Sequence, residues 1–269
     1  VQVAALIAMG GGALSIWILD RAKAPITEGL VGRIAGRLGF AYRRTLDRPP
    51  YCETLRTLKL IGDFNKERWE DEVSGVYDGV AIRLCEARLR KESGSGKNKR
   101  VRTIFHGQIF VIDHPRRFLG STVLVRDRGP LNKLSRPSET HQRVGLASTA
   151  FEKAFEAWST DQVEAHTLLD PLALERFLEL ERLYGGKKLR AAFHDGKLFV
   201  VVETGDRLDL GTMFEPLADP RRAARILAEF DAVFDLVDVL LKRVDGRLDA
   251  AFSLDAVKAK PITASSAGP

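Results

Sequence analysis

The spacing of apolar and polar residues changes along this chain, and each change predicts a different element. Residues Val1 to Leu19 are almost continuously apolar, with only Gln2 and Ser15 interrupting. At 1.5 Å per residue such a helix spans roughly 28 Å, which matches a bilayer core. Ile26, Leu30, Ile34 and Leu38 then recur every four residues beside Arg33 and Arg37, which predicts a basic helix lying on a membrane surface or on the domain. Its glycines weaken it as an isolated helix, so packing on the domain is favoured. Cys52 to Ile61, after Pro49-Pro50, reads as a short helix or strand. From Val73 to Arg90 the pattern alternates around Gly75 and Gly79, with Val80, Ile82, Leu84, Ala87 and Leu89 facing inward. Ser93 to Lys97 is a turn, and Val101 to Ile112 returns as its partner strand. Thr122–Arg126 and Arg143–Leu146 are further strand segments.

The stretch from Phe151 to Gly186 joins these strands to a helical second half. Phe151, Phe155 and Trp158 have helical spacing and predict a short amphipathic turn. Asp170 is a good N-cap, Pro171 suits the first helical position, and Leu169 with Leu174 has the spacing of a hydrophobic staple. Leu174, Phe177, Leu178 and Tyr184 share a face of that helix, which Gly185-Gly186 ends. Apolar runs flank His194-Asp195-Gly196-Lys197, and Asp-Gly between such runs signals a tight hairpin. Asp219-Pro220 starts a long amphipathic helix through Ile226, Phe230, Val233, Val237, Leu240 and Val244. Strands in runs followed by helices predict an α+β fold of antiparallel hairpins with segregated helices, preceded by a transmembrane helix. The expected organisation is a transmembrane helix over residues 1–20, a basic juxtamembrane helix over 21–47, a globular domain over 48–255 and a disordered tail over 256–269.

A chain of 269 residues is long enough to bury a proper core. A buried helix and the remnant of a signal peptide compete with the membrane reading of Val1–Leu19. No basic region precedes the segment and no cleavage-like site closes it. Arg21, Lys23, Arg33, Arg37, Arg43 and Arg44 follow it, so the positive-inside rule places the domain in the cytoplasm, at the inner membrane. Two cysteines, Cys52 and Cys85, without a CxxC pair argue against a zinc site and suit a reducing compartment.

The net charge of +6 favours contact with anionic surfaces. Arg88, Arg90, Lys91, Lys97, Lys99 and Arg100 gather at one hairpin end and are the candidate contact with anionic lipid, against a plain solvated face. No aromatic RNA-binding motif accompanies them, which argues against a dedicated nucleic-acid module. The five histidines form no metal-binding pattern, and phosphate loops and a GxSxG elbow are absent. No cofactor is expected.

The polar run after Trp158 has two readings. One is a solvated loop or helix cap. The other is a junction in which Trp158, Asp161, Gln162, Glu164 and His166 satisfy backbone groups or meet a partner.

Phe151-Glu152 with Phe155, Trp158-Ser159, Asp161 through Ala165, Leu168-Leu169 and Pro171 resemble the signature of a bacterial family, catalogued as domain of unknown function 3137. Leu38 through Tyr42, Glu70-Asp71-Glu72 with Gly75 and Gly79, Phe105-His106-Gly107 and Phe214 through Leu217 stand in the same order. The resemblance spans nearly the whole chain after the first apolar segment. It implies a membrane-anchored cytoplasmic domain and no chemistry. Trp158 and His166 stand where that family usually carries tyrosine. The expected function is therefore a non-enzymatic interaction or scaffold domain, with the membrane and another membrane or cytoplasmic protein as partners. An anionic-lipid reader, or an enzyme with a site near Asp161, Glu164 and His166, is the alternative.

Overall fold

A computed structural model describes residues 29, 31–114, 117–126, 136–146, 148–185, 189–204 and 220–245. Nine strands form one antiparallel sheet in the order β1-β2-β3-β4-β9-β8-β5-β7-β6. They are β1 (Ala41–Leu46), β2 (Lys66–Tyr77), β3 (Val80–Ser93), β4 (Arg100–Asp113), β5 (Thr122–Arg126), β6 (Gln142–Val144), β7 (Phe155–Ser159), β8 (Leu189–His194) and β9 (Lys197–Val202). The helices are α1 (31–37), α2 (Cys52–Thr57), α3 (Thr149–Glu152), α4 (Gln162–Leu168), α5 (Pro171–Leu183) and α6 (Pro220–Asp245). The fold is thus α+β, with a large antiparallel sheet.

Apolar residues bury both faces of the sheet, because each face has its own cover. Leu84, Phe110, Leu124 and Phe193 point toward α1, α4, α5 and α6. Cys85, Val111, Val123 and Phe199 point the other way, toward α2 and the Leu58–Ile61 segment. Aromatic packing ties the helical layer down: Tyr77 stacks on Phe234 with centroids 4.2 Å apart, and Phe40 meets Phe230 edge-on.

Local chemistry explains the turns. Asp78-Gly79 and Asp195-Gly196 each join two strands through a two-residue loop with positive φ at both positions. The first of these divides the stretch Val73–Arg90, where the alternation alone suggested one continuous strand. A bulge between Glu70 and Val73, with Asp71 at φ +53°, switches the sides of β2. Trp69 therefore faces α2 while Val73 faces the helices. The acids at the bulge are buried and engaged. The Tyr42 hydroxyl donates to Asp71 Oδ1 (2.5 Å) and Arg43 Nη2 donates to Glu72 Oε1 (2.8 Å).

Several expectations change. Residues 21–47 are not one basic helix: α1 ends at Arg37, and Ala41–Leu46 is the edge strand β1. Val31, Ile34 and Ala35 bury α1 against the domain. Cys52–Thr57 resolves as a helix. Phe151, Phe155 and Trp158 do not share a helix. Helix α3 stops at Glu152 and β7 begins at Phe155, so Phe155 faces the helical layer and Trp158 the α2 side. The stretch 151–186 does not divide a strand half from a helix half either, since β7, β8 and β9 belong to the same sheet as β1–β5. Helix α5 follows the expected punctuation, with Ala173 N–H donating to Asp170 Oδ1 (2.8 Å) and Pro171 in the first turn. No described helix is long and apolar enough to cross a membrane, and Val1–Leu19 and the 256–269 tail lie outside the described residues.

Candidate functional site beside helix α2

The junction from Trp158 to His166 is built around backbone satisfaction. Asp161 caps α4, accepting from Glu164 N–H at 2.9 Å. Glu164 turns away from its own helix end. Its two carboxylate oxygens accept the N–H groups of Leu119 (2.8 Å) and Gly120 (2.9 Å) in the β4–β5 connection. Thr160 Oγ1 accepts Ser121 N–H at 2.9 Å, and Gly120 leaves room for it, since a Cβ there would stand 2.5 Å from that oxygen. Gln162 Nε2 reaches Gln142 O at 3.4 Å. Asp161, Gln162 and Glu164 thus tie α4 to the ends of β5 and β6. Trp158 and His166 are not part of this knot. Trp158 lies on the α2 side of the sheet, and His166 is exposed on α4.

The open space lies elsewhere, on the α2 face. Cross-strand register there gives an apolar floor running Val111–Phe199–Ala192–Val123–Trp158, with Arg83 and Arg143 at its two ends. A polar row, Asp113–Lys197–His194, borders it. Lys197 Nζ donates to Asp113 Oδ1 at 2.5 Å. Helix α2 stands across this floor and leaves a cleft on either side. The first, of about 460 Å³, is bounded by Tyr51, Thr54, Arg83 and Phe199. The second, of about 520 Å³, is bounded by Leu58, Phe118, Ser121, His141 and Thr160. His194 and Asp195, at the β8–β9 turn, line both.

Burial sets the protonation of the groups beneath the clefts. It raises the Tyr51 hydroxyl far above its ordinary value, with the Cys85 thiol 3.4 Å away adding to the effect. It pushes the Cys85 thiol up to about 12 and raises Cys52 as well. These thiols are protonated at neutral pH and are poor nucleophiles. Burial also lowers His141, helped by the charges of Arg136 and His194. Among the described residues no three His, Cys, Asp or Glu side chains converge as a metal site would require.

The basic residues gather at the far end of β3 and β4. Arg90, Lys91 and Arg100 are exposed, and Lys91 stands directly opposite Arg102. Lys99 pairs with Glu92 (3.0 Å), and Arg88 donates to His106 Nε2 at 3.3 Å. The Lys97 side chain lies outside the described residues.

Tyr51, Arg83, Ser121, His141 and His194 were not singled out by sequence reasoning as parts of a site. Sheet order brings them together, and no local pattern carries that information.

The structure is similar to the crystal structure of the mycobacterial trehalose monomycolate transport factor A, TtfA. The TM-score is 0.44 at 10% sequence identity, over 78% of this chain and 94% of that one. No curated protein matches the chain. The family described as protein of unknown function (DUF3137) matches residues 103–242, from near the start of β4 into α6. That match covers just over half of the chain, and the chain belongs to this family.

Proposed function

We propose that this chain is a membrane-anchored interaction domain, without a reaction of its own, which receives its partner on the α2 face. One observation carries the reading. Glu164, the carboxylate that the sequence offers as an enzymatic candidate, is occupied by two backbone amides, whereas the two clefts beside α2 are open and share a rim. A surface that combines an apolar floor with a few fixed polar groups suits binding. The membrane part of the proposal rests on Val1–Leu19 and the arginines behind it, which support an inner-membrane anchor with the domain on the cytoplasmic side. The test is affinity purification of the full chain from membranes, beside a Thr54→Arg variant that fills the first cleft. Loss of a co-purifying protein in the variant, with its melting temperature unchanged, is the expected result. The same partners in both preparations would rule out the first cleft, and the same partners in a Leu58→Arg variant, which fills the second, would rule out the α2 face.

A second reading, contact with anionic lipid, has its own support. Like charges directly opposite one another weaken a sheet, so Lys91 facing Arg102 is a placement that folding alone disfavours. The hairpin tip lies roughly 33 Å along β3 from the end where α1 enters β1, so it is a surface separate from that end. Flotation with phosphatidylserine vesicles that falls steeply with salt, and fails with phosphatidylcholine, is the expected signature. Equal binding to both lipids would exclude it.

A further inference from the structure

Buried polar atoms without a hydrogen-bond partner are uncommon in folded proteins, and each calls for an explanation. On this sheet four lie along one face of β5, β6 and β7, and two of them share a row. Ser121 Oγ, His141 Nε2, Trp158 Nε1 and Glu156 Oε2 are all buried and unpartnered. Trp158 faces α2, and Glu156 precedes it by two residues, so both lie on the same side of β7. Ser121 precedes Val123 by two, and His141 precedes Arg143 by two. Val123 and Arg143 both pair with Trp158. Continuing that register puts Ser121, Thr160 and His141 in one row across the end of β5, β7 and β6. All three line the second cleft.

The chemistry of this row is that of donors. The Ser121 hydroxyl has its proton to give. Thr160 Oγ1 accepts from Ser121 N–H, which leaves its own O–H to point elsewhere. His141 Nδ1 lies 2.8 Å from Ser138 Oγ, itself 2.7 Å from Thr140 Oγ1. Assigning the hydrogens to run from Thr140 to Ser138 to Nδ1 puts the ring proton on Nε2, which then donates. Arg136, whose Nε donates to His141 O at 2.8 Å, adds positive charge behind the ring. The acid lining this cleft, Asp195, stands at the hairpin turn on another wall. An incoming anion is repelled from that wall and drawn to the donor row.

We infer that the second cleft takes a carboxylate, free or at the end of a peptide chain, against Ser121, Thr160 and His141. The inference rests on the α2 face being the docking face and names the group it docks. Both orphaned atoms lie just under the cleft wall, so entry requires a side-chain rotation of Ser121 and a small shift of His141.

The test is calorimetric titration of the full chain in detergent with acetate, with the tripeptide glycyl-glycyl-alanine, and with that tripeptide's C-terminal amide. The acids bind saturably and the amide does not. Acetate alone marks a free small acid, and tighter binding of the tripeptide marks a chain end. Ser121→Ala weakens binding about tenfold or more while its melting temperature holds or rises, because an unpartnered hydroxyl has no bond to lose. Absence of binding by both acids, equal binding of the amide, or unchanged affinity in Ser121→Ala overturns the inference. So does a lower melting temperature in that variant, which would show the hydroxyl satisfied by enclosed water. A partner captured through the α2 face with no dependence on a carboxylate would also overturn it, and would leave the docking reading standing.

Discussion

Replacing Glu164 with alanine removes one carboxylate that two backbone amides share. Both bonds are to a charged acceptor, and such bonds contribute about 1.5–3 kcal/mol each when retained. The two amides differ in their access to water. Leu119 is 86% exposed, so water reaches its N–H once the carboxylate is gone. Gly120 is packed against Thr160 and Asp161, and its N–H is less easily hydrated. The net loss is therefore about 2–3 kcal/mol rather than the full sum. In a domain of this size that lowers the melting temperature by about 4–12 °C. Glu179→Ala is the control. Its carboxylate pairs with Arg176 one turn away on the surface of α5, and such a pair is worth about 0.3–0.5 kcal/mol. Thermal melts followed by circular dichroism give the stability. Amide exchange gives the location: protection must fall at Leu119 and Gly120 before it falls in β9. A Glu164→Ala protein that melts with the parent, or that loses protection uniformly, would refute the account of this knot. If such a protein also lost a cellular function, Glu164 would be a binding or catalytic residue.

Other perturbations test other parts of the molecule. Deletion of residues 1–19 moves the protein from the membrane fraction to the soluble one, and a deleted form that still pellets after high-salt and carbonate washes would disprove the anchor. Gly75→Ala destabilises by about 1–3 kcal/mol, although alanine is ordinarily the better strand residue, because its Cβ would stand 2.4 Å from the Phe40 ring; Phe40→Leu in the same chain restores part of the loss, as read by chemical denaturation. The Cys85 thiol is raised when folded, so its contribution to stability is complete below the thiol's ordinary value of about 8.5 and fades as pH rises toward 12; a Cys85→Ala protein shows a shallower decline over that window in denaturant titrations.

Features that depend on a few neighbouring residues were legible in the sequence. Asp170-Pro171 starts α5 and Asp195-Gly196 turns β8 into β9, because cap and turn chemistry is local. Asp78-Gly79 carries the same turn signal, but the alternation runs on at both sides of it and conceals the break. Phe151, Phe155 and Trp158 have helical spacing by coincidence, since a helix end and a strand start happen to abut. The knot at Asp161 and Glu164 was half legible: the cap is local, whereas the loop that Glu164 holds lies 44 residues away at Gly120. The clefts were not legible at all. Ser121 and His141 meet only because β7 lies between β5 and β6.

The place of the β8–β9 hairpin has a consequence for how the chain is made. Strands β1 to β4 form a meander that can assemble as it is synthesised, since each pairs with the strand before it. The free edge of β4 over Gln108–Asp113 then has no partner until β9, beginning at Lys197, has been added. Ile109 to Ile112 make the middle of that edge apolar, and an unpaired edge of this kind invites pairing with other chains. At ordinary elongation rates of about 5–20 residues per second the wait lasts several seconds. A nascent chain arrested between β4 and β8 should therefore bind chaperones or self-associate, and one released after β9 should not. Within this architecture, β9 is the strand that ends the period of risk.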